Sequence, residues 1–576
     1  MLGTMPASWV TVPSLVAVAC LATGCAGARA AVRTSAPAVT VTAAAAPTAP
    51  APAQRSPDAS AKAPLVAWRD LSPEIFAQAR RDHRLVILDG AAEWCHWCHV
   101  MDSTTYHDPA VVKLLSERFL AAKVDIDERP EIGDRYAAYG WPATVVFDSD
   151  GRELGKYRGY IPPEDFLALL QRAVAGTTAS GAGEAAPPAK PEVASTPFPR
   201  EELGWILRST ALELDEYADH EQKSWGHGQK AALYTDNDWV LTRAAAGDRE
   251  RLPFLLETLE KQRAIVDPVD GGIYQYSTDG DWEHPHFEKL MTFNAGALDN
   301  YSKAYQLTHD PKWKAVADAI FGYLDGTLRG TDGGFFATQD ADVGAHVAGG
   351  AFVDGHVYYA KDAKGRRAIG APRIDTREYA RENGLAIAAY CTYAEATGST
   401  VAREHAVAAA ERILATHARA KASGKARLGG LSHETAEAKA GTTAPLLLGD
   451  NATFAWALLR LHDLTHEGRW LAEAQAIARA MREELEDRRG GGFFAESVDP
   501  RASGVFAVRR TPFEDNVVAL RLFVRLQALA PEPDPAVIAR TLRAIVTPEQ
   551  IHARGRMIGD LLLALDEVRA SKIPLQ

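Results

Sequence analysis

Two thiols stand three positions apart in Glu93-Trp94-Cys95-His96-Trp97-Cys98-His99-Val100-Met101. An apolar run, Leu85-Val86-Ile87-Leu88-Asp89, precedes them, and a run with helical spacing, Val111 to Phe119, follows. A C-x-x-C pair between a strand and a helix has the geometry of a thiol–disulfide exchange site. The first sulfur then faces a helix N-terminus, whose partial positive charge favours thiolate over thiol. Asp89 ends the preceding strand. A carboxyl buried there is expected to have a raised pKa and to shuttle a proton during exchange. Trp94 and Trp97 would restrict water, and Pro142, after Trp141 and before a strand, is placed for a cis peptide facing the sulfurs. Two other chemistries use the same residues. Cys95-x-x-Cys98-His99 also matches c-type haem attachment, against which the strand–motif–helix setting speaks. A zinc site of both cysteines with two nearby histidines is disfavoured, because His96 and His99 on one rigid helix would not readily close a tetrahedron with both sulfurs. No cofactor and no metal is assigned.

The elements that must hold this pair fall in residues 64–176. The pattern predicts a helix (73–82), a strand (85–89), the cysteine pair, a helix (109–119), a strand (121–125) and a loop. Trp141-Pro142, a strand (144–147), an Asp-Ser-Asp-Gly turn, a strand (153–158) and a helix (163–175) follow. Such an order implies a small α/β sheet with helices on both faces. Residues 177–198 are rich in Ala, Pro and Gly and read as a linker. From 199 to 576 the chain is largely helical, as in Ala295–Leu307, Trp313–Leu324, Ala452–Leu464 and Val517–Leu529. A glycine-aromatic segment recurs there as Gly271-Gly272-Ile273-Tyr274, Gly333-Gly334-Phe335-Phe336 and Gly491-Gly492-Phe493-Phe494, with a weaker copy at Gly429-Gly430-Leu431. After each, a helix opens near an Asn: Asn294, Asn383, Asn451 and Asn516. The repeat implies a ring of about six helical hairpins, and helix capping is the expected role of most of these Asn residues.

The 576 residues exceed one core, and the composition (47% hydrophobic, 24% charged) is that of a globular chain. A net charge of −12 argues against a nucleic-acid partner. The start differs. Val10 to Ala22 is mostly apolar and runs into Ala22-Thr23-Gly24-Cys25. Residues 1–30 therefore read as an export signal of lipoprotein type with Cys25 as the lipid anchor, or of the simply cleaved type near Ala28-Arg29-Ala30. Residues 31–63, rich in Ala, Pro and Thr, read as a tether, so the expected location is the periplasm or cell envelope. Without the signal only Cys95, Cys98 and Cys391 remain, too few for a disulfide framework.

Ala92-Glu93-Trp94-Cys95, Asp89 before it and Trp141-Pro142-Ala143-Thr144 resemble the thioredoxin fold. More narrowly, Cys95-His96-Trp97-Cys98-His99-Val100-Met101 and Lys123-Val124-Asp125-Ile126-Asp127-Glu128-Arg129-Pro130 resemble the spermatogenesis-associated protein 20-like family. That resemblance implies an N-terminal thioredoxin-like α/β domain joined to a C-terminal all-α domain of (α/α)6-barrel, six-hairpin glycosidase-like type. It makes Cys95 the attacking thiol and Cys98 the resolving one, acting on a protein thiol or disulfide partner, with His96 favouring the Cys95 thiolate when protonated. After Pro142 the chain departs from the family and reads Asp150-Gly151-Arg152-Glu153-Leu154-Gly155, as an ordinary thioredoxin would.

The helical part carries the family's Pro285-His286-Phe287-Glu288-Lys289, Gln339-Asp340-Ala341-Asp342 and Asn383-Gly384-Leu385. The mouth of such a ring suits a carbohydrate, whose hydrolysis needs two carboxylates and whose epimerisation needs an acid and a base. His286, Glu288, Asp340, Asp342, Asp450 and Glu514 are the expected pocket groups. Phe293 stands where the family commonly has Asp, which favours a binding over a catalytic ring. Phe335 and Phe493 are expected to be core spacers, and Cys391 a buried small apolar residue.

Overall fold

The computed structural model describes residues 65–176, 198–346, 351–420, 428–435, 445–530, 535–571, 573 and 575, all within one compact unit, Gln54–Gln576. The signal, Cys25 and the tether lie outside the described residues, as does the linker up to residue 197. No described helix is long and apolar enough to cross a membrane.

The first elements are α1 (Pro73–Asp82), β1 (Leu85–Ala91), α2 (His96–Ser103), α3 (Pro109–Arg118), β2 (Phe119–Asp125), α4 (Pro130–Tyr136), β3 (Ala143–Phe147), β4 (Glu153–Arg158) and α5 (Pro163–Val174). The sheet order is β2-β1-β3-β4, with β1 parallel to β2 and antiparallel to β3. Alternation along the strands builds two cores. Val86, Leu88, Val145 and Phe147 face α1 and α4, whereas Ile87, Ala121 and Val146 face α2, α3 and α5. The α4 helix occupies a stretch that the sequence pattern leaves as loop. Its buried Ile132 and Tyr136 belong to the first core, while its charged residues face the helical part instead of water, so no amphipathic stripe marks it.

The helical part comprises α6 (Arg200–Glu216), α7 (Tyr234–Ala245), α8 (Leu252–Gln262), α9 (Met291–Thr308) and α10 (Pro311–Tyr323). Short helices α11 (Gly355–Tyr359) and α12 (Ala363–Ile369) lead to α13 (Ala380–Thr397), α14 (Thr400–Thr416), α15 (Leu448–Thr465) and α16 (Gly468–Glu484). The last are α17 (Phe513–Leu529), α18 (Ala536–Ile545), α19 (Pro548–Arg554) and α20 (Gly559–Ala570). Helices α7, α9, α13, α15, α17 and α20 pack each on the next and α20 returns to α7, closing an inner ring. Outside them α8, α10, α14, α16, α18 and α6 back α7, α9, α13, α15, α17 and α20 respectively. The result is an (α/α)6 ring whose first helix pairs with its last. Small residues permit the close inner packing: a Cβ on Gly384 of α13 would lie 3.0 Å from the Phe454 backbone of α15.

The repeated Asn residues do not cap. The N-cap positions are Leu290, Tyr379, Leu447 and Pro512, and each Asn lies one turn inside its helix. Its Oδ1 accepts from the backbone N–H of Ile273, Phe335, Leu431 or Phe493 at 2.7–2.8 Å. Its Nδ2 donates back to the carbonyl of the same residue at 2.9–3.1 Å. Each Asn thus satisfies both backbone polar groups of one buried residue in the glycine-aromatic segment, which would otherwise be orphaned. Gly272 is needed there, with φ +76 and no room for a Cβ beside Tyr323. Phe335, Phe493 and Cys391 are fully buried in the ring core, and burial pushes the Cys391 thiol up to about 12.

Candidate active site at the junction of the α/β part and the ring

Cys95 and Cys98 form a disulfide, with Cα atoms 5.2 Å apart. Cys95 is the N-cap of α2, and its Sγ accepts from the Cys98 N–H at 3.2 Å. The Trp141–Pro142 peptide is cis. Both cysteines are nearly sealed, at 4% and 3% exposure, in a cluster with Ala91, Ala92, Trp94 and Ile126. Trp97, Trp141 and, from the ring, Leu290 complete the cover.

Asp89 lies on β1 opposite Lys123 and Thr144, buried, with one carboxyl oxygen lacking a hydrogen-bond partner. Burial pushes its pKa up to about 6 despite Lys123, whose Nζ is 3.4 Å away and is itself held by Asp102 at 2.6 Å. The sheet therefore places a protonatable carboxyl on the face that α2 packs against.

The histidines of the motif face the ring. His96 Nδ1 lies 2.8 Å from Asp342 Oδ2, and His99 lies 3.6 Å from Asp342 and 3.9 Å from Asp340. His346 Nε2 is 2.9 Å from Asp340 Oδ2. Burial alone would raise the Asp342 carboxyl, but the hydrogen bonds and charge of His96 and His99 outweigh it and hold it well below the carboxylate range. Burial opposes protonation of His96 and His99, yet the same aspartates raise both. His286 stacks on Tyr276 at 4.5 Å and is pushed down to about 4 by burial and by the neighbouring histidines. Burial raises Glu288 to about 7, and its Oε2 has no hydrogen-bond partner. Lys289, beside it, is structural: it is buried against Asp267 at 2.7 Å.

Of the six expected pocket groups, the fold thus brings His286, Glu288, Asp340 and Asp342 together, against His96. Asp450 lies elsewhere on the mouth, in a narrow cleft with Arg381, Asp515 and, from the α/β part, Glu131 and Asp134. Glu514 is outside that cleft. It is half-exposed and pairs with Arg554, because successive residues at the start of α17 point about 100° apart and it is Asp515 that turns inward. The segment after β2 docks on the same mouth. Arg377 pairs with Asp125, Glu128 and Asp375. His433 donates to the Asp127 carbonyl at 2.6 Å and lies 3.0 Å from Asp450, which raises it to about 9 against its burial. Trp94 donates to Asp127 at 2.6 Å, while burial and Asp125 push that carboxyl up to about 8. His346, Asp354 and Arg377 are site groups that no sequence pattern singles out. His99 was visible inside the cysteine motif, and Asp515 beside Glu514.

Two sets of side chains have donor atoms close enough to hold a metal ion: His99, Asp340 and His346, and His96, Asp342 and Asp354, each within 4.8 Å. Among the described residues neither set includes a sulfur.

Residues 56–172 match the family model Thioredox_DsbH, described as "Protein of unknown function, DUF255". The chain is 28% identical over 322 residues to spermatogenesis-associated protein 20 of Homo sapiens, covering 48% of this chain and 39% of that protein. It is 32% identical over 78 residues to thioredoxin-1 of Drosophila melanogaster, 14% of this chain and 69% of that one. A solved sugar epimerase from a ruminal bacterium is similar over 65% of this chain and 100% of its own, at 13% identity and a TM-score of 0.49. The chain spans about two fifths of the length of the first curated relatives it matches.

Proposed function

From a chain that belongs to the thioredoxin family in its α/β part and has spermatogenesis-associated protein 20 among its homologues, we propose a thiol–disulfide oxidoreductase whose ring governs access to Cys95–Cys98. The observation that carries this reading is the bonded pair at the N-terminus of α2, with the buried Asp89 carboxyl on the sheet face beneath that helix. With the pair reduced, the Cys95 thiolate attacks a target disulfide, forming a mixed disulfide and releasing one target thiolate. Cys98 passes its proton to Asp89 and attacks Cys95, re-forming the pair and releasing the second thiolate. The target gains two electrons and the pair loses them, and a dithiol reductant restores it. Target and reductant reach the sulfurs when the ring moves off Leu290's side of the cluster.

The test is trapping. A Cys98→Ser variant is expected to hold protein targets on Cys95 as reducible adducts, and Cys95→Ser to hold none. Equal, empty trapping by both, with a pair that dithiothreitol cannot cycle, would refute the proposal. Export and a lipid anchor on Cys25 belong to the same proposal, since they would put the pair among secreted disulfides. A second reading, an aldose- or glycan-acting ring, rests on Glu288, a buried carboxyl with a free oxygen beside His286. Hydrogen–deuterium exchange next to the aldehyde of a reducing sugar, lost in Glu288→Gln, is what that reading expects.

A further inference from the structure

We propose that this junction binds a divalent first-row transition-metal ion on His99, Asp340 and His346, with His96, Asp342 and Asp354 forming a second such set beside it. Both sets mix imidazole with carboxylate, the donor chemistry of zinc, iron(II) and manganese(II), and the first is a two-histidine, one-carboxylate set.

The surrounding bonds are those that orient ligands. Asp340 spends Oδ1 on the Asp342 N–H at 3.0 Å, and Asp342 spends Oδ1 on the Gly355 N–H at 2.8 Å. Both buried carboxylates therefore aim Oδ2 at the histidines. His99 donates Nε2 to the Glu93 carbonyl at 3.0 Å, which fixes the ring and leaves Nδ1 buried with no hydrogen-bond partner, 3.6 Å from Asp342 Oδ2 where the two sets adjoin. A backbone carbonyl on one imidazole nitrogen and a free second nitrogen is the arrangement of a metal-ligating histidine. Glu288 belongs to neither set but adds a further buried carboxyl beside them. It is only 3% exposed, its Oε2 is unpartnered, and it sits in the field of His96, Asp340 and Asp342. Among the described residues the ion-pair partners of Asp340, Asp342 and Asp354 are histidines. A dication would neutralise this gathering of carboxylates.

Each set takes its histidine on α2 from the α/β part and its carboxylates from the ring. An ion there ties the two together directly over the cysteine helix. The inference stands apart from the redox reading, because no sulfur is a ligand.

The experiment uses the full chain, disulfide intact, stripped with a chelator and titrated with zinc by calorimetry, with bound metal counted after gel filtration. About one to two equivalents should bind. A Cys95→Ser/Cys98→Ser double variant should bind as well as the wild type. His346 lies outside any helix or strand with its side chain 21% exposed, so His346→Ala should keep the fold and weaken binding about tenfold or more. Asp340→Asn with Asp342→Asn should abolish it. Cobalt(II) in place of zinc should show d–d bands without thiolate charge transfer. No retained zinc in the wild type, unchanged affinity in His346→Ala, or loss in the cysteine double variant would each overturn the proposal.

Discussion

Asp89→Asn isolates the one buried charge that the proposed exchange chemistry uses. A carboxyl whose folded-state pKa lies above its unfolded value contributes its full stability below the unfolded value and loses it as pH rises through the folded value. For Asp89 that window runs from 3.8 to about 6. Above it the wild type carries a buried carboxylate at a cost of about 3 kcal/mol, taking ~1.36 kcal/mol for each tenfold change in acidity. The attraction of Lys123 is already inside that figure. Asparagine keeps the shape and removes the charge, and Lys123 is not stranded because Asp102 holds it at 2.6 Å. The variant should therefore match the wild type near pH 4 and exceed it by up to about 3 kcal/mol at pH 8. A chain of this size does not unfold as one two-state unit, so the readout is urea-dependent hydrogen-exchange protection of the β1 and β3 amides. The same variant should exchange disulfides about 100-fold more slowly above pH 6, having lost the proton acceptor for Cys98. A stability gain that does not depend on pH, no gain at pH 8, or an unchanged exchange rate would refute the reasoning.

Arg377→Ala removes the cation shared by Asp125, Glu128 and Asp375 and should weaken docking by about 1.5–3 kcal/mol, read as faster reduction of Cys95–Cys98 by a phosphine. Asn383→Ala strands both backbone polar groups of the buried Phe335 and should cost about 2–4 kcal/mol, seen as a lower thermal midpoint of the ring. Alkaline pH should open the junction. The stability from His433 is full below its ordinary 6.5 and is lost as pH rises through about 9, while Asp127 ionises through about 8. Phosphine reduction of the pair should therefore accelerate above pH 9, and a flat profile would contradict the assignment.

The elements of the α/β part were legible because their periods are local: α1 and β4 fall where the alternation of apolar residues puts them. Helix α4 was not, since its charged residues are covered by the ring and mimic a solvated loop. The repeated Asn residues were visible as a pattern but not in role, because a backbone staple depends on a partner 20 to 48 residues upstream whose approach only the closed ring defines. Asp340 and Asp342 were legible as a motif, whereas the meeting of Asp342 with His96, 246 residues away in the chain, has no local signature. Glu514 and Asp515 differ only in helical phase, and the phase is set by where α17 begins.

The junction's composition bears on how a sealed pair can act. Its named contacts are mostly ionic or charge-assisted: Arg377 with Asp125, His433 with Asp127 and Asp450, His96 with Asp342, and Arg373 with Glu93 at 2.9 Å. For buried ions the attraction gained and the hydration lost nearly cancel, so such contacts specify a register without adding much net adhesion. An apolar junction of the same extent would behave as a shared core and open only by unfolding. The sulfurs of Cys95 and Cys98 sit under Trp97, Trp141 and Leu290, and a target disulfide must present its S–S bond in line with the Cys95 thiolate that attacks it. A surface that fixes orientation strongly and adheres weakly allows α2 to part from the ring and return to the same register. On the proposed function, its electrostatics, and any ion shared by the facing histidines and aspartates, would set how often the pair is exposed.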